Sequence, residues 1–173
     1  MENYRIDKIS IEQLEELRSI SIETFTDAFG DKNHQADFDG YLQKAFDANQ
    51  LRNELETPDS YFYFLKNTDE PVGYLKLNTK KAQSDQVLDN AMEVERIYLK
   101  RHVQGKGLGT LLLNFAMQEA KNKGLMAIWL GVWEENNKAI AFYKRHGFEV
   151  FGSHPFKLGG DLQRDLLMKR LLI

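Results

Sequence analysis

The sequence predicts an α/β fold with the element order β-α-α-β-β-β-α-β-α-β-β. Two observations carry this reading. Short runs rich in β-branched and aromatic residues are interleaved with stretches whose apolar residues recur at helical spacing. One such run, Ile97-Tyr98-Leu99, enters a basic glycine-rich loop that opens directly into an amphipathic helix.

Residues 4–9 alternate as a first strand, and Ser10 starts a helix as its N-cap. Leu14, Leu17, Ile20 and Ile22 form the apolar face of that helix, and Gly30-Asp31-Lys32-Asn33 breaks the pattern. A second helix is expected over about 35–56, with Phe38, Tyr41, Leu42, Ala45, Phe46 and Leu51 toward the core; Pro58 closes it. A hairpin follows, its strands 61–65 and 72–77 joined by Asn67-Thr68-Asp69-Glu70-Pro71. Residues 82–90 are polar and read as an exposed loop, and 92–99 is the next strand. The helix over 108–123 places Leu108, Leu111, Leu112, Phe115, Ala116 and Ala120 at core spacing and ends at Gly124. Residues 127–133 read as a buried strand, followed by the polar turn Glu134-Glu135-Asn136-Asn137, which is rich in N-cap residues. A short helix over 138–146 stops at Gly147. Strands at 148–151 and 165–171 complete the set, with Gly159-Gly160-Asp161 between them. With no internal repeat, low-complexity tract or linker, residues 1–173 read as one domain.

Bulk properties exclude several classes of function. A chain of 173 residues buries a core without metal or disulfide staples, and the absence of cysteine removes thiolate metal sites and a cysteine nucleophile. The net charge of −3, with no face or tail rich in Lys and Arg, argues against nucleic acid as a partner. His34, His102, His146 and His154 show no ligand spacing, so no metal is expected. The start Met1-Glu2-Asn3-Tyr4-Arg5 lacks the apolar core of a signal peptide and no run reaches transmembrane length. No membrane partner and a cytoplasmic location are therefore expected.

The loop after Leu99 has the chemistry of a phosphate site. Gly105, Gly107 and Gly109 let a ligand approach the backbone. The first N–H groups of the helix from Leu108 lack intrahelical partners and lie at the positive end of its dipole. Lys106 and Arg101 add full charges. A Walker loop would need Lys-Ser/Thr after the last glycine, where Thr110-Leu111 stand, and a dinucleotide fingerprint would need glycine at Thr110. What remains is Gln104-x-x-Gly107-x-Gly109, together with Asn136-x-x-Ala139-x-x-Phe142-Tyr143 and Gly147-Phe148 downstream.

These two segments, in this order and at this distance, resemble the signatures of the GCN5-related N-acetyltransferase superfamily. The segments Ser21-Ile22-Glu23-Thr24-Phe25, Glu95-Arg96-Ile97-Tyr98, Ile128-Trp129-Leu130-Gly131-Val132-Trp133-Glu134 and Ala139-Ile140-Ala141-Phe142-Tyr143-Lys144 are similar to the PaiA-type spermidine/spermine branch. The resemblance implies an acyl-CoA N-acyltransferase fold: a mixed, largely antiparallel sheet with helices on both faces, whose central strands splay apart after Leu99 and Val132. Acetyl-CoA would then lie in the wedge. Its pantetheine would pair with Ile97, Tyr98 and Leu99, and its phosphates would rest on Gln104, Gly105, Lys106, Gly107, Leu108, Gly109 and Thr110. Asn136, Asn137, Tyr143 and Arg145 complete the implied cofactor contacts.

Acetyl transfer to an amine requires loss of an ammonium proton, stabilisation of an oxyanion and protonation of a leaving thiolate. Tyr143 matches the family's tyrosine, and a phenol of pKa about 10 can protonate a thiolate of pKa about 8.5 at modest cost. Backbone N–H groups around Ile97, Tyr98 and Leu99 are the expected oxyanion donors, with a β-bulge there to turn one inward. Two-residue alternation puts Glu93 and Glu95 on one face with Ile97 and Leu99. Glu93 aligns with the family's base position and Glu95 lies nearer the cofactor, so a base among the two, acting through water, stands beside the alternative that they merely pair with Arg96 or a lysine. For the amine, Glu23, Asp27, Asp31, His154 and Asp161 are candidates by resemblance. The expected activity is acetylation of a polyamine such as spermidine or spermine by a monomer or homodimer. Acetylation of protein N-termini or another small amine, and regulatory acetyl-CoA binding without turnover, remain open.

Overall fold

The computed structural model describes residues 3–173, so Met1 and Glu2 of the N-terminal reading lie outside the described residues. Its strands are β1 (Tyr4–Lys8), β2 (Ser60–Asn67), β3 (Glu70–Thr79), β4 (Ala91–Leu99), β5 (Ala127–Trp133), β6 (Glu149–Leu158) and β7 (Asp161–Leu171). They form one seven-stranded sheet in the order β1-β2-β3-β4-β5-β7-β6. Neighbours run antiparallel except β4 and β5, which run parallel. The helices are α1 (Leu14–Phe29), α2 (Gln35–Ala45), α3 (Ala48–Glu56), α4 (Leu108–Asn122) and α5 (Asn137–Arg145). Among the described residues no helix is long and apolar enough to cross a membrane.

Alternation along the central strands distributes the helices. Tyr63, Leu65, Leu75 and Leu77 face Leu112, Leu113, Ala116 and Ala120 of α4. The intervening Phe62, Phe64 and Tyr74 face Leu17 and Ile20 of α1 on the opposite side. A further cluster joins Phe25 of α1 to Phe38 and Phe46 and to Leu51 of α3. The sheet is thus covered on both faces, as expected.

Several local expectations are corrected. The helix expected over 35–56 is two helices, α2 and α3, because Asp47 leaves the helical path to cap α3. Its carboxylate accepts from the Asn49 and Gln50 N–H groups at 3.0 and 3.2 Å, and the break buries Phe46. The hairpin β2–β3 turns on Thr68 and Asp69 alone, since Asn67 already pairs with Glu70. The loop over 82–90 is not wholly exposed: Gln83 is buried and its side-chain oxygen accepts from the Trp129 indole at 2.7 Å. Leu111 of α4 is 41% exposed, and Leu113 and Met117 take core positions instead. The last hairpin is much longer than 148–151 and 165–171. Its edge strand β6 alternates between exposed and half-buried residues and so carries a weak apolar signal, and Gly159-Gly160 make the tight turn between Leu158 and Asp161.

The Asp47 cap generates a test. Asp47→Ala leaves two helix N–H groups without their acceptor and should lower stability by about 1 kcal/mol. The urea midpoint measures it, and an unchanged midpoint would show that α3 does not depend on this side chain.

Candidate active site

β4 and β5 are paired only through Ala91–Ala127, Met92–Ile128 and Glu93–Trp129. Beyond Glu93 the two strands part, and a cleft of about 1040 Å3 opens between them. Ile97, Tyr98 and Leu99 line it, with Leu75, Tyr74 and Gly73 as their β3 partners on the other edge. The Tyr98 ring stacks on Tyr74 at 5.8 Å on the α1 side of the sheet and lies 6.4 Å from Phe25 of the α1 wall. Gly131, Val132 and Trp133 line the β5 wall.

At one end of the cleft the glycine loop folds as a backbone cradle. Gly105 and Gly107 have φ of +79° and +80°, which only glycine adopts freely, and a Cβ on either would meet nothing within 4 Å. Gly107 is the N-cap of α4 and brings no side chain to its first N–H groups; the first intrahelical bond runs from Leu111 N–H to Gly107 C=O at 3.1 Å. Gln104 donates to the Leu99 carbonyl at 3.1 Å, tying the loop to the end of β4. Gly109 passes under Phe142, whose ring would lie 3.4 Å from a Cβ there, so α4 and α5 pack closely. His146 bridges the two helices: Nδ1 lies 2.8 Å from the Phe142 carbonyl and Nε2 3.1 Å from the Thr110 hydroxyl. That network assigns Nδ1–H as donor and the hydroxyl as donor to Nε2.

The remaining residues expected at this end are divided. Asn136 caps α5, accepting from Ala139 N–H at 3.2 Å, and lines the cleft with Arg145. Leu108 is buried in the core, Lys106 is exposed beside the loop and Asn137 is exposed at the first position of α5; none of the three is part of the cleft lining. Tyr143 is buried against Phe142 and Phe148 and lines the cleft. Burial pushes its phenol well above the ordinary range, so it stays protonated at neutral pH.

The bulge on β4 corrects the expected faces. β3 pairs Leu77 with Val94 and Lys76 with Arg96, leaving Glu95 as the extra residue. The bulge therefore lies before Ile97, not among residues 97–99, and it reverses the alternation. Ile97 and Leu99 pack toward α4, whereas Glu93 faces Asn78 on the opposite side. Glu95 forms an ion pair with Lys76, and Glu54 of α3 joins the same group through Lys76 at 3.1 Å and Arg96 at 2.8 Å. Glu93 is 3% exposed and accepts from Asn78 at 3.0 Å, from Ser84 N–H at 2.7 Å and from the Ser84 hydroxyl. Burial raises its carboxyl, and those hydrogen bonds oppose the shift.

The other end of the cleft is acidic. Asp165 of β7 lies opposite His154 of β6, and the imidazole stands 3.7 Å from Asp165 and 3.6 Å from Asp85. Burial raises the Asp165 carboxyl, and His154 opposes the rise. Tyr41 of α2 and Phe156 of β6 meet edge to face at 5.7 Å and line this end with Gln163. Glu23 and Asp27 are not brought in: they lie 3.8 Å from Lys100 and 3.7 Å from Arg101, and Thr24, Phe25, Ala28 and Phe29 form the α1 wall instead. Asp31 is exposed in the turn after α1, and Asp161 accepts from Gln163 at 3.0 Å beside the hairpin turn. Of the residues missed, Asp85 lies in the loop read as exposed, Gln163 on the part of β7 that precedes the expected strand, and Asp165 at that strand's expected start. Polar residues at two-residue spacing, Gln163 and Asp165, were the signal available.

Residues 14–148 match the model of the Acetyltransferase (GNAT) family. The chain is 42% identical over 173 residues to an uncharacterized N-acetyltransferase of the pepI 3' region in Lactobacillus delbrueckii subsp. lactis, with 100% of both chains covered. It is 26% identical over 149 residues to the spermidine N(1)-acetyltransferase of Thermoplasma acidophilum, covering 84% of this chain and 88% of that protein. Its fold is similar to the crystal structure of the PaiA N-acetyltransferase of Thermoplasma acidophilum in complex with coenzyme A, with a TM-score of 0.79 and 23% identity over 98% of this chain and 99% of that one. The family match spans α1 through α5, including both walls of the parted strands and the glycine cradle, and the chain belongs to the GNAT acetyltransferase family as an acetyl-CoA-dependent N-acetyltransferase.

Proposed function

We propose that the protein transfers an acetyl group from acetyl-CoA to a primary amine of a linear polyamine such as spermidine or spermine. The observation that carries this reading is the polarity of the cleft. The N-termini of α4 and α5, with Lys138 and Arg145, border one part of the lining; Asp85, Glu93, Glu95 and Asp165 border another, where the cation Arg96 is already paired with Glu54. An anionic cofactor suits the first end and a polycation the second.

The residues fit acetyl-CoA by their own chemistry. The open left-handed glycines and the unpaired N–H groups of α4 form an anion cradle, Arg145 adds charge, and the free edge of residues 97–99 offers main-chain pairing to an extended amide chain. When bound, acetyl-CoA supplies the thioester carbonyl. The amine nitrogen attacks that carbon directly, since the chain has no cysteine to take the acetyl group first. Main-chain N–H groups beside the cleft stabilise the developing oxyanion, and Tyr143 delivers its phenolic proton to the leaving sulfur. Carboxylates at the far end hold a second ammonium and so orient the reacting nitrogen.

Gly107→Asp places a side chain at φ +80° and a negative charge in the cradle. Calorimetry should show acetyl-CoA binding lost or greatly weakened, and unchanged affinity in the folded variant would move the phosphates elsewhere. Tyr143→Phe keeps the packing surface and removes the acid, so kcat should fall by about 100- to 10,000-fold with cofactor affinity retained. Turnover at the wild-type level would make the tyrosine purely structural.

The acceptor is tested by kcat/KM for spermidine against hexylamine at low and high ionic strength. Spermidine should be strongly preferred and its KM should rise with salt, because its second ammonium is held by partly solvated charges. Equal values for the two amines, or no turnover of either polyamine, would overturn the polyamine assignment and leave the family standing.

A further inference from the structure

We propose that His154, standing between Asp85 and Asp165 at the amine end of the cleft, is the catalytic proton acceptor of the transfer, with Asp165 as its positioning residue. The inference rests on the reading of this cleft as the site of acetyl transfer to an amine.

Nδ1 of the His154 ring is 3.6 Å from an Asp85 oxygen and Nε2 is 3.7 Å from an Asp165 oxygen. Ionised carboxylates only accept hydrogen bonds, so a neutral imidazole between them can turn an N–H toward one and must turn a lone pair toward the other. Taking up a proton removes that conflict and gives both carboxylates a donor. Both separations exceed hydrogen-bond length, so the ring is attracted to its neighbours without being locked onto them.

Place and access agree with the role. His154 and Asp165 are directly opposed across β6 and β7, and a Cβ on Gly131 would lie 3.7 Å from Nε2 and 3.5 Å from the Asp165 carboxylate. The pair therefore stands against the β5 wall of the wedge, where the strand carries no side chain to cover it. The His154 side chain is 26% exposed, which leaves a way for the proton to reach solvent. The charged groups facing the ring are Asp85 from the loop before β4 and Asp165 from β7. β5 presents only Gly131 there, α2 brings the Tyr41 phenol to the same end, and Glu93 of β4 is held behind Ser84. The other carboxylates of β4 are already engaged: Glu93 accepts three hydrogen bonds and Glu95 is paired with Lys76. Glu93 also has a structural task, because it fixes Ser84 and with it the neighbouring Asp85.

The step balances. His154 takes one proton from the ammonium, the free amine forms the C–N bond, and the C–S bond breaks as the oxyanion collapses. Tyr143 protonates the leaving sulfur, and the second proton shed by the nitrogen restores the phenol. His154 then releases its proton to solvent, so one proton leaves per acetyl transferred.

The test is the pH dependence of kcat/KM with acetyl-CoA and spermidine, hexylamine or a peptide with a free N-terminus, whichever the wild type acetylates fastest. The wild type should show an acidic limb, where a protonated imidazole cannot accept the proton. His154→Gln should lower kcat/KM on the order of 100-fold and abolish that limb, with acetyl-CoA affinity unchanged by calorimetry. His154→Gly should regain rate in proportion to added imidazole. Asp165→Asn should lower kcat with acetyl-CoA affinity retained, and should lower it no further when added to His154→Gln, because a positioning residue acts only through the ring it positions. A purely structural role for Asp165 would make the double variant slower than His154→Gln alone. A wild-type pH profile in folded His154→Gln overturns the proposal alone. Failure of the wild type to acetylate any of the three amines overturns the reading of the cleft, and the proposal falls with it.

Discussion

The structure depends on the parting of two parallel strands. β4 and β5 share only three residue pairs, yet neither drifts, because each is held along its other edge. β4 is laddered to β3, and β5 is laddered to β7 from Ala127 to Trp133. Their facing edges therefore present main-chain donors and acceptors to an open space, where water or an extended ligand must satisfy them. The bulge at Glu95 bends β4 at the start of the divergence, and the group Glu54, Lys76, Glu95 and Arg96 clamps the bulge to α3. Removing one member of such a buried group typically costs about 3–5 kcal/mol, since a partner charge is left uncompensated. Glu95 and Arg96 also line the cleft, so this charged group borders the opening as well as the bulge.

Electrostatics divides that opening. Two helix N-termini and a pair of cations look into one end, while the opposite end is closed by carboxylates around a single imidazole. The buried phenol of Tyr143 carries no charge of its own at neutral pH. Charge is thus distributed unevenly along the cleft, with Arg96, paired to Glu54, as a further cation in its lining.

Much of this was legible in the sequence, and what was not has physical reasons. Strong local signals survived folding intact: the apolar alternation of β2 and β3, the Gly107 start of α4, and the Asn136 cap of α5. The bulge was misplaced because a strict two-residue period carries no mark of an extra residue, and only the partner strand reveals that Glu95 is unpaired. The split of α2 and α3 escaped because Asp47 is tolerated inside a helix as well as at its cap. The amine end was the least readable. Asp85, His154 and Asp165 come from a loop and two strands, and nothing in one chain order announces that they converge.

The Gly159-Gly160 turn has a kinetic consequence. Its tip rests on α2, where Asp37 accepts from Gly160 N–H at 3.0 Å across 123 residues of chain, and Gln163 reaches Asn33 across 130. The contacts that build the cradle are far more local, such as the Thr110–His146 bridge across 36 residues. Closing long loops costs chain entropy before any contact repays it. The α4–β5–α5 unit is thus the portion able to organise early, whereas the hairpin that carries His154 and Asp165 docks late. A molecule with its hairpin tip detached would keep the glycine cradle at the start of α4 while losing the cleft wall formed by Phe156, Gln163 and Asp165.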